Sequence, residues 1–142
     1  MLSNRRERIR DEKINGEIFD MSPAPNFRHS VVNGRMFSKI SNGLKDSLCL
    51  VFMENIDYKY SKESDDYLEP DIIICCDRNK IRGNSYYGTP RFVAETLSPS
   101  TAKRDRGVKK DIYETSEHYN LKQEITLRAF PVTMTLEDIF AF

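Results

Sequence analysis

From Phe27 to Leu48, apolar residues recur every four positions at Val32, Met36, Ile40 and Leu44, with Phe37 and Leu48 beside them. Side chains four apart share one face of a helix, so the spacing predicts a helix with a single buried stripe. Gly34 and Gly43 weaken that helix without breaking it. Ahead of it, Asn15-Gly16 is a hairpin-type turn, and Glu17-Ile18-Phe19-Asp20-Met21 alternates weakly as a short strand before the loop Ser22-Pro23-Ala24-Pro25. The run from Arg5 to Lys13 is charged throughout except for Ile9, which reads as a solvated helical turn or a frayed end carrying little chemistry.

Beyond the helix the period changes. Cys49 to Met53 and Ile56 to Tyr60 read as strands, the second half-exposed, with Ser61 to Asp66 as a loop. Leu68 to Cys76 is a continuous apolar strand entered through Pro70, which suits a central strand whose first residue needs no ladder donor. Asp77 to Gly88 is rich in turn residues and reads as a loop. Arg91 to Leu97 is another buried strand, stopped by Ser98-Pro99-Ser100-Thr101, whose hydroxyls suit the cap of a helix from about Lys103 to His118. Val108, Ile112 and Tyr119 would form its inner face. Glu124 to Phe130 alternates as a last strand, and Thr135 to Phe140 is a short closing element. Strand, helix, several strands, helix, strand is the order of an α/β domain with a mixed sheet flanked by helices.

The length of 142 residues supports one domain, residues 1–142, with a real core. Because 22 basic residues balance 22 acidic ones, any basic surface must be local. The cluster Lys103, Arg104, Arg106, Lys109 and Lys110 is the best candidate for phosphate contacts, although such a run is usually a solvated helix face. No apolar stretch reaches the roughly 20 residues of a membrane helix, and the first residues lack the apolar core of a signal peptide, so a cytoplasmic protein with no membrane partner is expected. Three cysteines without a C-x-x-C pair fit that compartment, and packing is the expected role of all three. The absence of a G-x-S-x-G elbow, a P-loop and an H-E-x-x-H helix leaves serine hydrolase, nucleotide hydrolase and zincin chemistry without support.

Two acids stand where valine or isoleucine would be cheaper. Asp71 opens the run Pro70-Asp71-Ile72-Ile73-Ile74, and Glu95 interrupts Phe92-Val93-Ala94-Glu95-Thr96-Leu97. A buried carboxylate needs compensation, and a divalent cation held between two strand-borne carboxylates is a common one, Mg²⁺ being a hard ion that accepts oxygen ligands and keeps several waters. The plainer alternatives are a strand-edge or turn residue at Asp71, a buried arginine partner for Glu95, and an exposed i, i+4 pair of Lys109 with Asp105. His29 and His118 are isolated, which suits capping, packing or exposure better than catalysis.

Gly16-Glu17, Met21-Ser22-Pro23 followed by Arg28-His29, Pro70-Asp71, Glu95-x-Leu97-Ser98-Pro99-Ser100-Thr101 and Asp105-Arg106-x-x-Lys109-x-x-x-Tyr113 occur in series. Together, over roughly Asn15 to Tyr113, they resemble the Uma-type restriction endonuclease family of the PD-(D/E)XK nuclease superfamily. The resemblance implies a restriction-endonuclease-like core acting on DNA, with Asp71 and Glu95 binding Mg²⁺ or Mn²⁺ and Lys109 supplying the cation. The superfamily usually places that lysine two residues after the second acid, a position held here by Leu97; Lys109 stands where the family carries it on the next helix. Thr96 would offer its carbonyl as a third ligand, and Glu17 would serve as the first acidic residue. His29 falls at the family's Arg-His position without a derived role.

The chemistry suits this set, because phosphodiester hydrolysis needs a water activated near neutral pH and stabilisation of charge growing on phosphoryl and leaving oxygens. Lys109 would orient or deprotonate that water, or hold the scissile phosphate. The alternative is a catalytically silent nuclease-fold module that binds nucleic acid or a protein partner; a third reading makes the acids merely structural. One departure from the family stands out: Glu117 to Gln123 runs almost directly into Glu124-Ile125-Thr126-Leu127, where relatives insert a further segment. The backbone groups so exposed would need cover from another element or a second chain, which makes a homodimer an expectation.

Overall fold

The computed structural model describes residues 10–20, 27–96 and 102–115. The loop expected at 22–25, the cap at 98–101, the end of the second helix and both elements expected beyond 123 lie outside the described residues, as does the shortened segment. Within the described residues the chain starts with a hairpin: β1 (Asp11–Ile14) pairs antiparallel with β2 (Glu17–Asp20), Ile14 opposite Glu17. Asn15 and Gly16 join them with φ of 52° and 80°, the two left-handed residues of a turn whose twist matches the strands. The charged run before Asn15 is thus in part a strand, because every second residue from Glu12 faces inward: Glu12 and Ile14 are buried, and Asp11 and Lys13 are less so.

Helix α1 (Phe27–Gly43) keeps the expected stripe, with Val32, Ile40 and Leu44 buried, but ends at Gly43, and Leu48 is 77% exposed. The main sheet has the order β3 (Leu50–Met53), β5 (Ile72–Cys75), β8 (Phe92–Ala94), with both pairings antiparallel. All four residues of β5 are fully buried, as a central strand requires. Their alternation divides the core. Ile72 and Ile74 pack with Ile40 and Leu44 of α1 and with Phe92, whereas Ile73 and Cys75 face a second cluster with Ile14, Tyr58, Leu68, Tyr86 and Tyr113.

Over that second cluster lies a smaller sheet. β4 (Asp57–Tyr58) pairs parallel with β7 (Ser85–Tyr86), which pairs antiparallel with β6 (Ile81–Arg82). The stretch 77–88 expected as a loop therefore holds a 3₁₀ turn (Arg78–Lys80) and a hairpin. Burial explains the difference: Tyr86 is 1% exposed, and its cross-strand partner Ile81 packs against the same core. Backbone bonds from Lys13 to Tyr67 and from Tyr58 to Leu68 tie the first hairpin and β4 to the chain entering β5.

The register that sets Leu50 opposite Cys75 brings Cys49 to Cys76, and these two form a disulfide. Only Cys75 keeps the packing role expected of all three, as a buried thiol that burial pushes up to about 12. The cysteines accordingly give no argument for a reducing compartment. The second helix comes in three pieces, α2 (Ala102–Arg104), a π-helical stretch (Asp105–Lys109) and α3 (Lys110–Thr115), with a break at Gly107 (φ −98°, ψ −108°). Its inward residues are Asp105, Lys109 and Tyr113, while Val108, expected inside, is 36% exposed. No described helix is long and apolar enough to cross a membrane.

Ile73 has no exposed surface and sits where the two sheets meet. Ile73→Ala is expected to lower the unfolding free energy by about 2–5 kcal/mol, seen as a lower urea midpoint at unchanged m-value. A loss within a few tenths of a kcal/mol would contradict this placement of the core.

Candidate active site

Asp71 and Glu95 flank the apolar strands rather than interrupt them: Asp71 precedes β5 and Glu95 follows β8, which lies beside it in the sheet. A strand end is where a side chain can be enclosed by neighbouring elements and still keep a route to solvent. Asp71 is 3% exposed and its carboxylate is held from several directions. Oδ1 accepts a bond from Arg10 Nη2 at 2.8 Å, and Oδ2 accepts one from the Thr96 amide at 2.7 Å. The Thr96 bond fixes the residue after Glu95 directly onto Asp71.

His29 Nε2 lies 3.3 Å from Asp71 Oδ2. Thr96 Oγ1 donates to Asn33 Oδ1, which directs the Asn33 Nδ2 group toward His29 Nδ1 at 3.3 Å and Glu54 Oε1 at 3.1 Å. Nδ1 is thus the ring nitrogen turned to Asn33, and Nε2 the one turned to Asp71. His29 and Asn33 are one helical turn apart on α1, so a single helix face supplies both. Glu54 follows β3 in the left-handed region (φ 56°), and its amide donates to the Asp71 carbonyl. Arg10 completes the group, its guanidinium 3.6 Å from Glu54 and bonded to the Glu69 carbonyl at 3.0 Å.

The second half of the site is built around Lys109, whose side chain is wholly buried. Its Nζ lies 2.7 Å from Glu95 Oε1, 2.8 Å from Glu12 Oε1 and 3.2 Å from Asp105 Oδ1. The pair with Asp105 is thus interior rather than the ordinary surface pair. Tyr113 donates its hydroxyl to Glu95 Oε1 at 2.7 Å, and Glu12 Oε1 also accepts the Glu69 amide at 3.1 Å. Burial alone would lower the Lys109 pKa, but the charges of Glu95, Glu12 and Asp105 outweigh it and raise it, so Lys109 is an ammonium. Burial pushes Glu95 up to about 7, with Asp71 and Glu12 adding to the effect and Lys109 opposing it.

The structure therefore brings Asp71, Glu95, Thr96 and Lys109 together and leaves Glu17 apart. Glu17 is the exposed first residue of β2, on the outer strand of the hairpin. The acid that reaches the cluster from that hairpin is Glu12, fully buried on β1. The signal was its two-residue spacing from Ile14, hidden in a run of charges. Arg10 and Glu54 carried no signal in the sequence, and His29 gains a partner in Asp71.

A divalent cation fits this donor set. Ligand atoms of His29, Glu54 and Asp71 lie within 4.8 Å of one another; Glu95 is outside that group and is joined to it through the Thr96 amide on Asp71. The Glu95 and Glu54 side chains keep 12% and 35% of their surface exposed, a solvent side suited to a hydrated ion. Arg10 supplies the positive charge at Asp71 that such an ion would compete with.

The model of the family Uma2, described as "Putative restriction endonuclease", matches residues 2–119. An uncharacterized protein of Synechocystis sp. is 31% identical over 109 residues, covering 76% of this chain and 56% of its own length. The crystal structure of a putative nuclease belonging to DUF820 from Anabaena variabilis superposes with a TM-score of 0.54 at 24% identity, over 73% of this chain and 58% of the other. That likeness gives the fold, restriction-endonuclease-like. The chain spans just over half the length of these two proteins.

Since the folded pKa of Glu95, about 7, exceeds its ordinary value of 4.5, the folded state holds a proton that the unfolded chain releases. This contribution to stability is present below pH 4.5 and is lost as pH rises through about 7. In chelator, the urea midpoint is expected to fall across that window, and Glu95→Gln should flatten the fall; equal slopes in both proteins would refute the assignment. Lys109→Met, which strands three buried carboxylates, should cost about 3–5 kcal/mol in the same assay.

Proposed function

The chain belongs to the Uma2 family of putative restriction endonucleases, and from that premise we propose that it is a metal-dependent endonuclease hydrolysing phosphodiester bonds of DNA. The observation that carries this reading is the convergence of Asp71, Glu95 and Lys109, with Thr96 pinned between the two acids. Asp71 and Glu95 would hold Mg²⁺, or Mn²⁺ in its place, with the Thr96 carbonyl as a further ligand. Such an ion, when bound, supplies Lewis acidity and lowers the pKa of coordinated water. Among the described residues, six carboxylates, of Glu12, Glu54, Glu69, Asp71, Glu95 and Asp105, face three basic side chains, of Arg10, Arg104 and Lys109, a set that suits a cation.

The chain's own groups divide the remaining work. His29 holds one Asp71 oxygen, which fixes the direction of the other. Tyr113 and Lys109 both bind Glu95 Oε1, which leaves Oε2 for the reacting side. Because its pKa is raised and its Nζ faces Glu95, Glu12 and Asp105, Lys109 is suited to holding Glu95 in place and balancing charge at the centre rather than to taking a proton. Glu12 takes the first-acid role expected of Glu17, acting through Lys109. Because burial pushes Glu95 up to about 7, holding an ion there would require Glu95 to give up its proton, so Mn²⁺ affinity should rise with pH through about 7.

The bond between Arg10 and Asp71 favours a second reading, a catalytically silent nuclease-fold module that binds nucleic acid, because a guanidinium there already meets the charge of Asp71. The two readings separate on supercoiled plasmid, where a single cut yields nicked circles. Nicking is expected with Mg²⁺ or Mn²⁺, absent in EDTA, and reduced at least about a hundredfold in Asp71→Asn and in Glu95→Gln. A folded protein that neither nicks nor binds Mn²⁺ by calorimetry would settle for the silent module.

A further inference from the structure

A second concave site lies away from the acidic cluster. Lys59, Lys62, Lys80 and Arg82 line a cavity of about 370 Å³ between the loop after β4 and the β6–β7 hairpin. That is the size class of a small-ligand pocket. Four cations in one depression are a local excess in a chain whose 22 basic and 22 acidic residues cancel. The one carboxylate in the lining, Asp65, is bound by Lys13 Nζ at 2.7 Å, so its charge is met from outside the cavity.

The polar lining also matches an anion. Ser61 Oγ accepts the Glu63 amide at 3.2 Å and Ser64 Oγ accepts the Asp66 amide at 3.3 Å. Each hydroxyl thus has its proton left to donate. Tyr87 adds an aromatic surface, 47% exposed, with the Arg82 guanidinium 5.6 Å from its ring centroid. Cations that track phosphates beside an exposed ring on which a base can stack are the recurring means of holding unpaired nucleic acid. A duplex keeps its bases inside and has no use for such a ring.

We propose that this cavity is an exosite for single-stranded nucleic acid, seating backbone phosphates on Lys62, Lys80 and Arg82 and stacking one base on Tyr87. The choice of nucleic acid as occupant rests on the nuclease reading; the contact itself rests on the cavity. The exosite is separate from the reacting centre, because successive residues of β1 serve the two sites from opposite faces: Glu12 turns in to Lys109, and Lys13 turns out to Asp65.

The test is fluorescence anisotropy of an end-labelled, mixed-sequence single-stranded oligonucleotide with the wild-type chain in EDTA, where no cleavage is needed. The triple variant Lys62→Gln, Lys80→Gln, Arg82→Gln should bind about tenfold or more weakly, with the log–log salt slope shallower by roughly 2. Tyr87→Ala should weaken the single strand about fivefold or more and leave duplex unaffected. All four side chains are exposed, so unchanged urea midpoints are expected and separate lost contacts from lost fold. Wild-type affinity and slope in the triple variant would overturn the proposal, as would displacement of the oligonucleotide by a mononucleotide at similar concentration, which would mark a small-ligand pocket. A wild-type chain that nicks plasmid but does not bind the single strand would overturn this inference alone; single-strand binding at the cavity without nicking would overturn the nuclease reading alone.

Discussion

The ammonium of Lys109 is the interaction on which the site depends. A buried lysine is tolerated only where its charge is met, and here three carboxylates from three parts of the chain meet it: Glu12 on β1, Glu95 after β8 and Asp105 one turn earlier on the same helix. The ion therefore does mechanical work as well. It fastens the first hairpin and the kinked helix to the end of the main sheet, beside the apolar contacts that Ile14 and Tyr113 make in the core. The break at Gly107 belongs to this arrangement, because it lies between Asp105 and Lys109 in the π-helical stretch that turns both side chains inward.

The same constraint explains what the sequence revealed. Helix α1 and strand β5 are legible because apolar burial leaves a period, four residues in one and an unbroken run in the other. Asp71 and Glu95 are legible for the opposite reason, being charges set against apolar runs. Glu12 escapes notice because Arg10, Asp11 and Lys13 surround it, and a run of charges looks solvated whichever member is buried. Val108 misleads in the same way: hydrophobicity picks it for the inner face, but that face is specified by ion pairs, and Lys109 takes the buried position. The hairpin at 81–86 and the pairing of Cys49 with Cys76 depend on contacts with strands far along the chain, which local pattern does not encode.

His29 shows how a residue without a local signal acquires a role. Its position on α1 is dictated by the apolar stripe, one helix face along, that packs the helix on β5. That docking then sets the His29 ring beside Asp71 and Asn33 beside Glu54 and Thr96. The contacts run from Thr96 through Asn33 to the ring and on to Asp71, so a hydroxyl next to Glu95 is linked to the imidazole that faces the other acid. Through this chain of bonds the two acids are coupled geometrically as well as electrostatically.

On the proposed nuclease reading the acidic centre raises a difficulty, since the charges that would attract a metal repel phosphates. A metal ion at Asp71 and Glu95 would reduce the repulsion locally, and cations elsewhere must supply the long-range attraction. In a chain with no net charge these have to be gathered, and β1 touches both the acidic core and the rim of the basic cavity. Its inward residues join the acidic core and its outward Lys13 neutralises Asp65 at the rim of the basic cavity. One four-residue strand, with the two-residue alternation of any strand, thereby keeps the two opposed chemistries on separate faces.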